Sequence, residues 1–245
     1  MKEDLAGLSF VVALVAAAIA LPLEIHAVVI RALPVGAVVA FLVAGGSDFF
    51  RQLFKEAKKK PGHSIPENPN SERYLAIDCE MVGTGPNGKQ SALARISIVN
   101  WELEVVFDTY VQVMDRVTDY RTPVSGIRAK HLKGKNAMNF RKCHQRVADL
   151  LAGKIVVGHG LENDFEALRL YHPEDQIRDT ALYRPLQRFH NGKWRARKLR
   201  ELVRDCVGKD DFQEGEHDSI QDARAVMELF HIFHGKWEDG TIAKD

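Results

Sequence analysis

The run AIDCEMVGTG, residues 76–85, constrains the fold of this chain more than any other stretch. Ala76, Ile77, Cys79, Met81 and Val82 mark a buried strand, yet Asp78 and Glu80 sit inside it. Side chains alternate across a strand, so positions two apart share a face and the two carboxylates point the same way. Like charges held that close raise each other's pKa unless something neutralises them. Buried without partners, they are costly. Such a strand belongs inside a layered domain, with its acidic face turned towards a site.

The downstream residues supply the layers. Tyr74–Val82 runs into the turn cluster Gly83–Gly88, then into two strands, 92–100 and 103–113. The short Trp101-Glu102 connection predicts an antiparallel hairpin. A helix is expected over 139–151 with Gly153 as its stop, a short apolar strand over 154–160, and a helix over 161–171 with Pro173 beyond it. Two further helices are expected over 197–206 and 219–233. Strands first, then alternating helix and strand, fit an α/β domain with a mixed sheet.

Three more residues join the acid pair as candidates. Asp164 opens a helix that follows a strand, and ligand sites in open α/β sheets collect at the carboxyl ends of strands. His217 and Asp222 lie in GEHDSIQDARAVMELF. With Ser219 as the expected N-cap, Asp222 falls in the first helical turn and His217 in the loop before it. An acid in a first turn is usually dipole compensation, and a lone histidine before a helix is usually a surface residue. The case rests on all five converging.

The amino-terminal part differs in kind. Residues 5–23 contain no charge, and residues 27–46 contain only Arg31. Each run approaches the roughly 20 residues a bilayer-crossing helix needs. Lys2, Glu3 and Asp4 are not the positive start of a secretory signal, and the segment lacks the arginine-rich amphipathic character of a mitochondrial presequence. The basic flank after it predicts a cytoplasmic side for the remainder of the chain. The chain thus divides into a hydrophobic segment, 1–47, that is a candidate membrane anchor through residues 5–46; a basic, Pro-rich linker, 48–72; a globular domain, 73–236; and a tail, 237–245. A poorly structured extension is the competing reading of residues 1–47.

A formal net charge of +1 excludes a uniformly basic protein but conceals two basic windows. Residues 120–148 hold eight Lys and Arg and no acid; residues 184–204 hold eight against Glu201 alone. Such clusters are the electrostatic footprint of a phosphate-binding surface. Phe189 and Trp194 interleave with the second window, either to stack on bases or to anchor the core. Three widely spaced cysteines, Cys79, Cys143 and Cys206, form no metal spacing and are expected to be reduced thiols.

DCEMVGTGPNGKQSALARISIVN, VTDYRTPVSGI, VGHGLENDF, IRDT and HDSIQDARAVMEL occur in this order. Together they resemble the DEDDh family of 3′→5′ exonucleases. Within it they are similar to the branch of RNA exonuclease 4 and the interferon-stimulated 20 kDa exonuclease, where DCEM and YRTxVSGI recur. The resemblance spans residues 74 to about 234 and leaves out residues 1–60. It implies an RNase H-like exonuclease fold, a five-stranded mixed sheet flanked by helices. It also implies hydrolysis of single-stranded RNA or DNA with a free 3′ end to nucleoside 5′-monophosphates. Asp78, Glu80, Asp164 and Asp222 match the family's metal-binding acids, and oxygen ligands favour Mg²⁺ or Mn²⁺. By the resemblance, Asp78 bridges two ions, Glu80 and Asp222 hold the ion carrying the nucleophilic water, Asp164 helps hold the second, and His217 is the general base. Met81 and Arg121 are placed near the terminal nucleotide, with Arg121 reading the 2′-hydroxyl. Asp218 stands where relatives often carry Ser, Ala or Thr, and is expected to raise the pKa of His217.

A catalytically silent binder or membrane-tethered scaffold on the same fold, and a hydrolase of small substrates such as dinucleotides, are the alternatives. A silent relative should have lost one of the five residues, and none is missing. No protein partner is expected. The resemblance points to the nucleus or nucleolus, the hydropathy to a membrane with the domain on the cytoplasmic side.

Overall fold

The computed structural model describes residues 65–239. The expected membrane segment, much of the linker and the last residues of the tail lie outside that range. Among the described residues, no helix is long and apolar enough to cross a membrane.

Nine strands and five α-helices build the domain: β1 Tyr74–Thr84, β2 Gln90–Asn100, β3 Val105–Gln112, β4 Val117–Asp119, α1 Thr122–Ser125, β5 Ala137–Asn139, α2 Phe140–Leu151, β6 Ile155–Gly158, α3 Leu161–Leu168, β7 Ile177–Asp179, β8 Arg188–His190, β9 Lys193–Arg195, α4 Leu199–Leu202 and α5 Ser219–Glu238. The main sheet runs β5-β3-β2-β1-β6-β7, with β4 on the far end of β1. β1, β2 and β3 are antiparallel neighbours, while β6 lies parallel to both β1 and β7. Strands β3-β2-β1-β6-β7 form the expected mixed sheet. β4 and β5 extend it to seven; at three residues each they carry no readable alternation.

β1 is central, which explains its apolar composition on both faces. Ala76 packs with Val226, Leu229 and Phe230 of α5. Leu75, Ile77 and Cys79 pack the other way, against Cys143 and Val147 of α2 and Leu161 and Leu168 of α3. Cys79 and Cys143 are buried, and the three cysteines form no disulfide. α2 starts where the sequence places it, with the Asn139 side chain accepting from the Arg141 amide. α3 is shorter than expected, closing at Arg169 in the left-handed region. The helix expected over 197–206 is instead a short α4 passing into a π-helical turn, Val203–Val207, that Gly208 ends at φ +84°.

Trp101 anchors the α5 side. It is 1% exposed, its indole N–H donates to the Pro66 carbonyl at 2.8 Å, and its ring lies 4.3 Å from His231 and 5.2 Å from Tyr74. Trp101→Ala is expected to cost about 3–5 kcal/mol and to lower the melting temperature by roughly 10 °C. A thermal shift below about 2 °C would contradict this packing.

Candidate active site

Alternation along β1 turns Asp78 and Glu80 to the α5 side. Glu80 is buried, and opposite it on β2 stands Arg95. A bulge follows: Met81 pairs with Leu93, leaving Ala94 as the extra residue, and Met81 emerges half-buried.

Asp164 is delivered by the β6–α3 junction. Gly158 is needed there, because a Cβ would fall 2.1 Å from Leu161 Cδ2. Gly160 at φ +78° then starts the helix. The buried Asp179 carboxylate accepts from the Gly160 and Leu161 amides at 2.8 and 2.9 Å, which the helix start leaves unpaired, and from the nearby Ala181 amide at 2.8 Å. Asp164, so held, accepts from the Cys79 amide at 2.9 Å, beside Asp78.

α5 supplies Asp222 in its first turn. The cap is Asp218, whose side chain accepts from the Ile220 amide at 2.9 Å, one residue earlier than Ser219. Ser219 is buried, its hydroxyl 2.7 Å from that of Ser97. His217 precedes the cap. Its amide donates to Val124 O at 2.8 Å, and Arg128 forks onto the neighbouring Glu216 at 2.5 and 2.9 Å. The segment 121–128 is therefore the mount that holds the histidine loop. Arg121 braces a different turn, donating to Gly88 O and Ser91 Oγ, both at 3.0 Å.

These elements converge. Glu80, His217 and Asp222 each offer an atom within 4.8 Å of the others, and His217 Nδ1 lies 3.5 Å from Asp222 Oδ2. Asp78 interacts electrostatically with Asp164, Asp222 and Glu80. All five candidates thus meet along one end of β1. Burial, and then the neighbouring carboxylates, push Asp78 well above the usual carboxylate range. Burial with Asp222 alongside raises Glu80 to about 8. Burial raises Asp164 to about 7 against its hydrogen bonds from Cys79, and raises Asp222 to about 6. Glu80 Oε1 is buried without any hydrogen-bond donor. A cluster of hard oxygen donors with an orphaned carboxylate atom fits a divalent cation.

The expected effect of Asp218 on His217 is corrected. Burial lowers the pKa of His217, because Asp218 faces its own helix cap and Arg95, whose guanidinium is 3.6 Å away. Sequence reasoning assigned no role to Arg95. It forks onto Asp108 at 2.8 and 3.2 Å, lies over the Tyr110 ring at 5.2 Å, and lowers the pKa of both Asp78 and Glu80. Ser97 continues the network, donating to Asp108 at 2.7 Å. Arg95→Met leaves the Asp108 carboxylate with the Ser97 hydroxyl but without its cation, and is expected to cost about 1–3 kcal/mol, a fall of roughly 3–10 °C in melting temperature. Arg95→Lys should recover only part, lacking the fork. Equal stability of both variants and the parent in thermal unfolding would contradict the bracing role.

The second basic window is less bare than its composition implies. Arg197 and Arg204 pair with Asp205, and Arg200 lies 3.7 Å from Glu214. Both acids come from just beyond the window.

A family profile described as Exonuclease matches residues 75–230. RNA exonuclease 4 of Saccharomyces cerevisiae is 47% identical over 168 residues, 68% of this chain and 57% of that protein. RNA exonuclease 4 of Mycosarcoma maydis is 45% identical over 184 residues, 75% of this chain and 45% of that protein. The chain spans about half the length of these curated relatives. Among solved structures, the Saccharomyces cerevisiae Pan2 pseudoubiquitin hydrolase–RNA exonuclease module in complex with A7 RNA is 34% identical at a TM-score of 0.60. That match covers 71% of this chain and 30% of the Pan2 chain. The complex of the same module with AAUUAA RNA gives 32% and 0.58, over 70% and 30%. The acid-bearing central strand, the ordered motifs and these matches agree: the chain belongs to the exonuclease family, in its DEDDh group and on the RNA exonuclease 4 branch.

Proposed function

We propose that this domain is a metal-dependent 3′→5′ exonuclease that removes nucleoside 5′-monophosphates from single-stranded nucleic acid, RNA foremost. The observation that carries the reading is the meeting of Glu80, Asp222 and His217 within 4.8 Å, beside Asp78 and Asp164, around a buried carboxylate atom that lacks a donor. The RNA complexes of the Pan2 module support RNA as the polymer.

Asp78, Glu80, Asp164 and Asp222 would hold two divalent ions, Mg²⁺ or Mn²⁺. When bound, such ions offset the charge of the scissile phosphate and acidify an attacking water. His217 accepts the proton of that water. Burial keeps its imidazole neutral near pH 7, the form able to do so. The water oxygen bonds to phosphorus and the P–O3′ bond breaks. The 3′ oxygen takes a proton and remains on the shortened chain, while the phosphate leaves on the terminal nucleotide. Half-buried Met81 and the turn that Arg121 braces flank the acids on β1 and are assigned to the terminal nucleotide. If Arg121 contributes to sugar choice, Arg121→Ala will narrow the ratio of kcat/KM on RNA to that on DNA; an unchanged ratio rules it out.

Chromatography of the products of an unlabelled single-stranded RNA tests the reaction class. Nucleoside 5′-monophosphates should appear from the first time point. Nucleoside 3′-phosphates or internal fragments would overturn the reading.

A further inference from the structure

Within the second basic window, β8 and β9 form a two-stranded sheet of their own, separate from the main one. Asn191 and Gly192 close it at φ +50° and +73°, as a type I′ turn requires. An isolated hairpin of this kind is marginal in water. All six of its strand residues are exposed. Phe189 and Trp194 stand opposite each other with ring centroids 5.3 Å apart, and they remain 62% and 46% exposed. The pair is therefore not a core anchor. Arg184 lies over the Trp194 ring at 4.7 Å.

Charge and position narrow the occupant. Residues 184–200 contain no acid. The arginines beyond the hairpin are largely occupied by Asp205 and Glu214, whereas Lys193 and Arg195 enter no ion pair among the described residues. The hairpin follows β7, whose Asp179 caps the helix carrying Asp164. On its other side, the Arg197 backbone lies close enough to His159, just before that helix, to raise its pKa against the lowering by burial. It is thus rooted at the carboxyl ends of β6 and β7, the end of the sheet where Asp164 sits. Exposed aromatics interleaved with unpaired cations are the chemistry of a stacking platform for single strands: every base offers a π-face, and every linkage a phosphate.

We propose that the β8–β9 hairpin is a stacking arm that engages single-stranded nucleic acid on the 5′ side of the nucleotide being removed. Its substrate class rests on the exonuclease reading; its existence as a binding surface rests on the hairpin itself. The arm holds the strand without regard to sequence, so catalysis should favour substrates long enough to reach it.

The test uses the full chain and its Phe189→Ala/Trp194→Ala variant. Binding is measured by fluorescence anisotropy with a fluorescein-labelled 12-nucleotide oligouridylate, both proteins carrying Asp78→Asn to prevent cleavage. The Kd should rise about tenfold or more, and Phe189→Tyr/Trp194→Phe should restore it to within about threefold, since either ring stacks. On otherwise unmutated protein, the ratio of kcat/KM for the 12-mer to that for a dinucleotide should fall about tenfold. A Kd and a ratio both within about twofold of the parent overturn the arm, whatever the hydrolysis rate. A variant that loses binding relative to a parent that binds the 12-mer but hydrolyses nothing keeps the arm and overturns the exonuclease reading instead.

Discussion

Asp78→Asn is expected to reduce hydrolysis by at least roughly 10³-fold and, at the same time, to stabilise the metal-free protein at pH 8. Both effects come from one arrangement. Asp78 is raised well above the usual carboxylate range, Glu80 to about 8, Asp164 to about 7 and Asp222 to about 6. With folded pKa values above unfolded ones, the folded state binds more protons, so stability falls as pH rises. The contribution is fully present below pH ~4 and is lost as pH climbs through about 6 to 8. In EDTA the unfolding free energy should therefore drop between pH 5 and pH 8, by about 1.4 kcal/mol per pH unit for each proton in excess, and the melting temperature with it. Mg²⁺ or Mn²⁺ should restore it at pH 8 by binding the folded state alone. Asn at position 78 removes one of the crowded charges, so the metal-free variant should melt higher at pH 8 and show a shallower pH slope. Thermal unfolding across this range, with EDTA and with each ion, checks the stability predictions, and the rate of hydrolysis by Asp78→Asn checks the other. A metal-free protein whose stability rises from pH 5 to pH 8 would contradict the electrostatic account.

His217→Ala is the second large effect, a fall of about 10²–10⁴ in kcat. Its signature differs from that of the acids. His217 is assigned to proton transfer, so the variant should keep the metal-induced rise in melting temperature that Asp78→Asn loses. The pH profile should also change. Burial lowers the pKa of His217 below its ordinary 6.5, and an imidazolium cannot accept a proton. The acid limb of kcat/KM in the parent should therefore lie below pH 6.5, and the variant should lack it. His217 also lies close enough to Glu80 and Asp222 to serve as a ligand. Loss of the metal-induced shift in His217→Ala would assign it that role instead of the base.

The candidate site was largely legible because its residues violate local patterns. Two carboxylates in an apolar strand demand an explanation, Asp164 sits in the first turn of a helix that follows a strand, and Asp222 in the first turn after a capping residue. The bracing shell was not legible. Arg95, Asp108, Ser97 and Ser219 become neighbours only through the β2–β3 register and the docking of α5. Asp179 acts on amides some twenty residues before it in the chain, across β6 and β7. The choice of cap failed for a simpler reason: Asp218 and Ser219 are both good caps, and only packing shows that Ser219 turns inwards. The β8–β9 hairpin did carry a signal, Asn191-Gly192, but its strands are three residues long and embedded in a run of cations. The cations that follow the hairpin, Arg197, Arg200 and Arg204, read as unpaired because Asp205 and Glu214 lie past the window.

The central claim is that the acids along β1 and α5, with His217, remove nucleotides from a free 3′ end in a metal-dependent reaction. The most direct measurement is the time course of a 5′-labelled single-stranded RNA incubated with the full chain in Mg²⁺, in Mn²⁺ and in EDTA, beside Asp78→Asn. The expected result is a ladder that shortens stepwise from the 3′ end with either ion, and an intact strand in EDTA and with the variant. Retention of the full-length strand under every condition, or shortening that Asp78→Asn leaves unchanged, would contradict it.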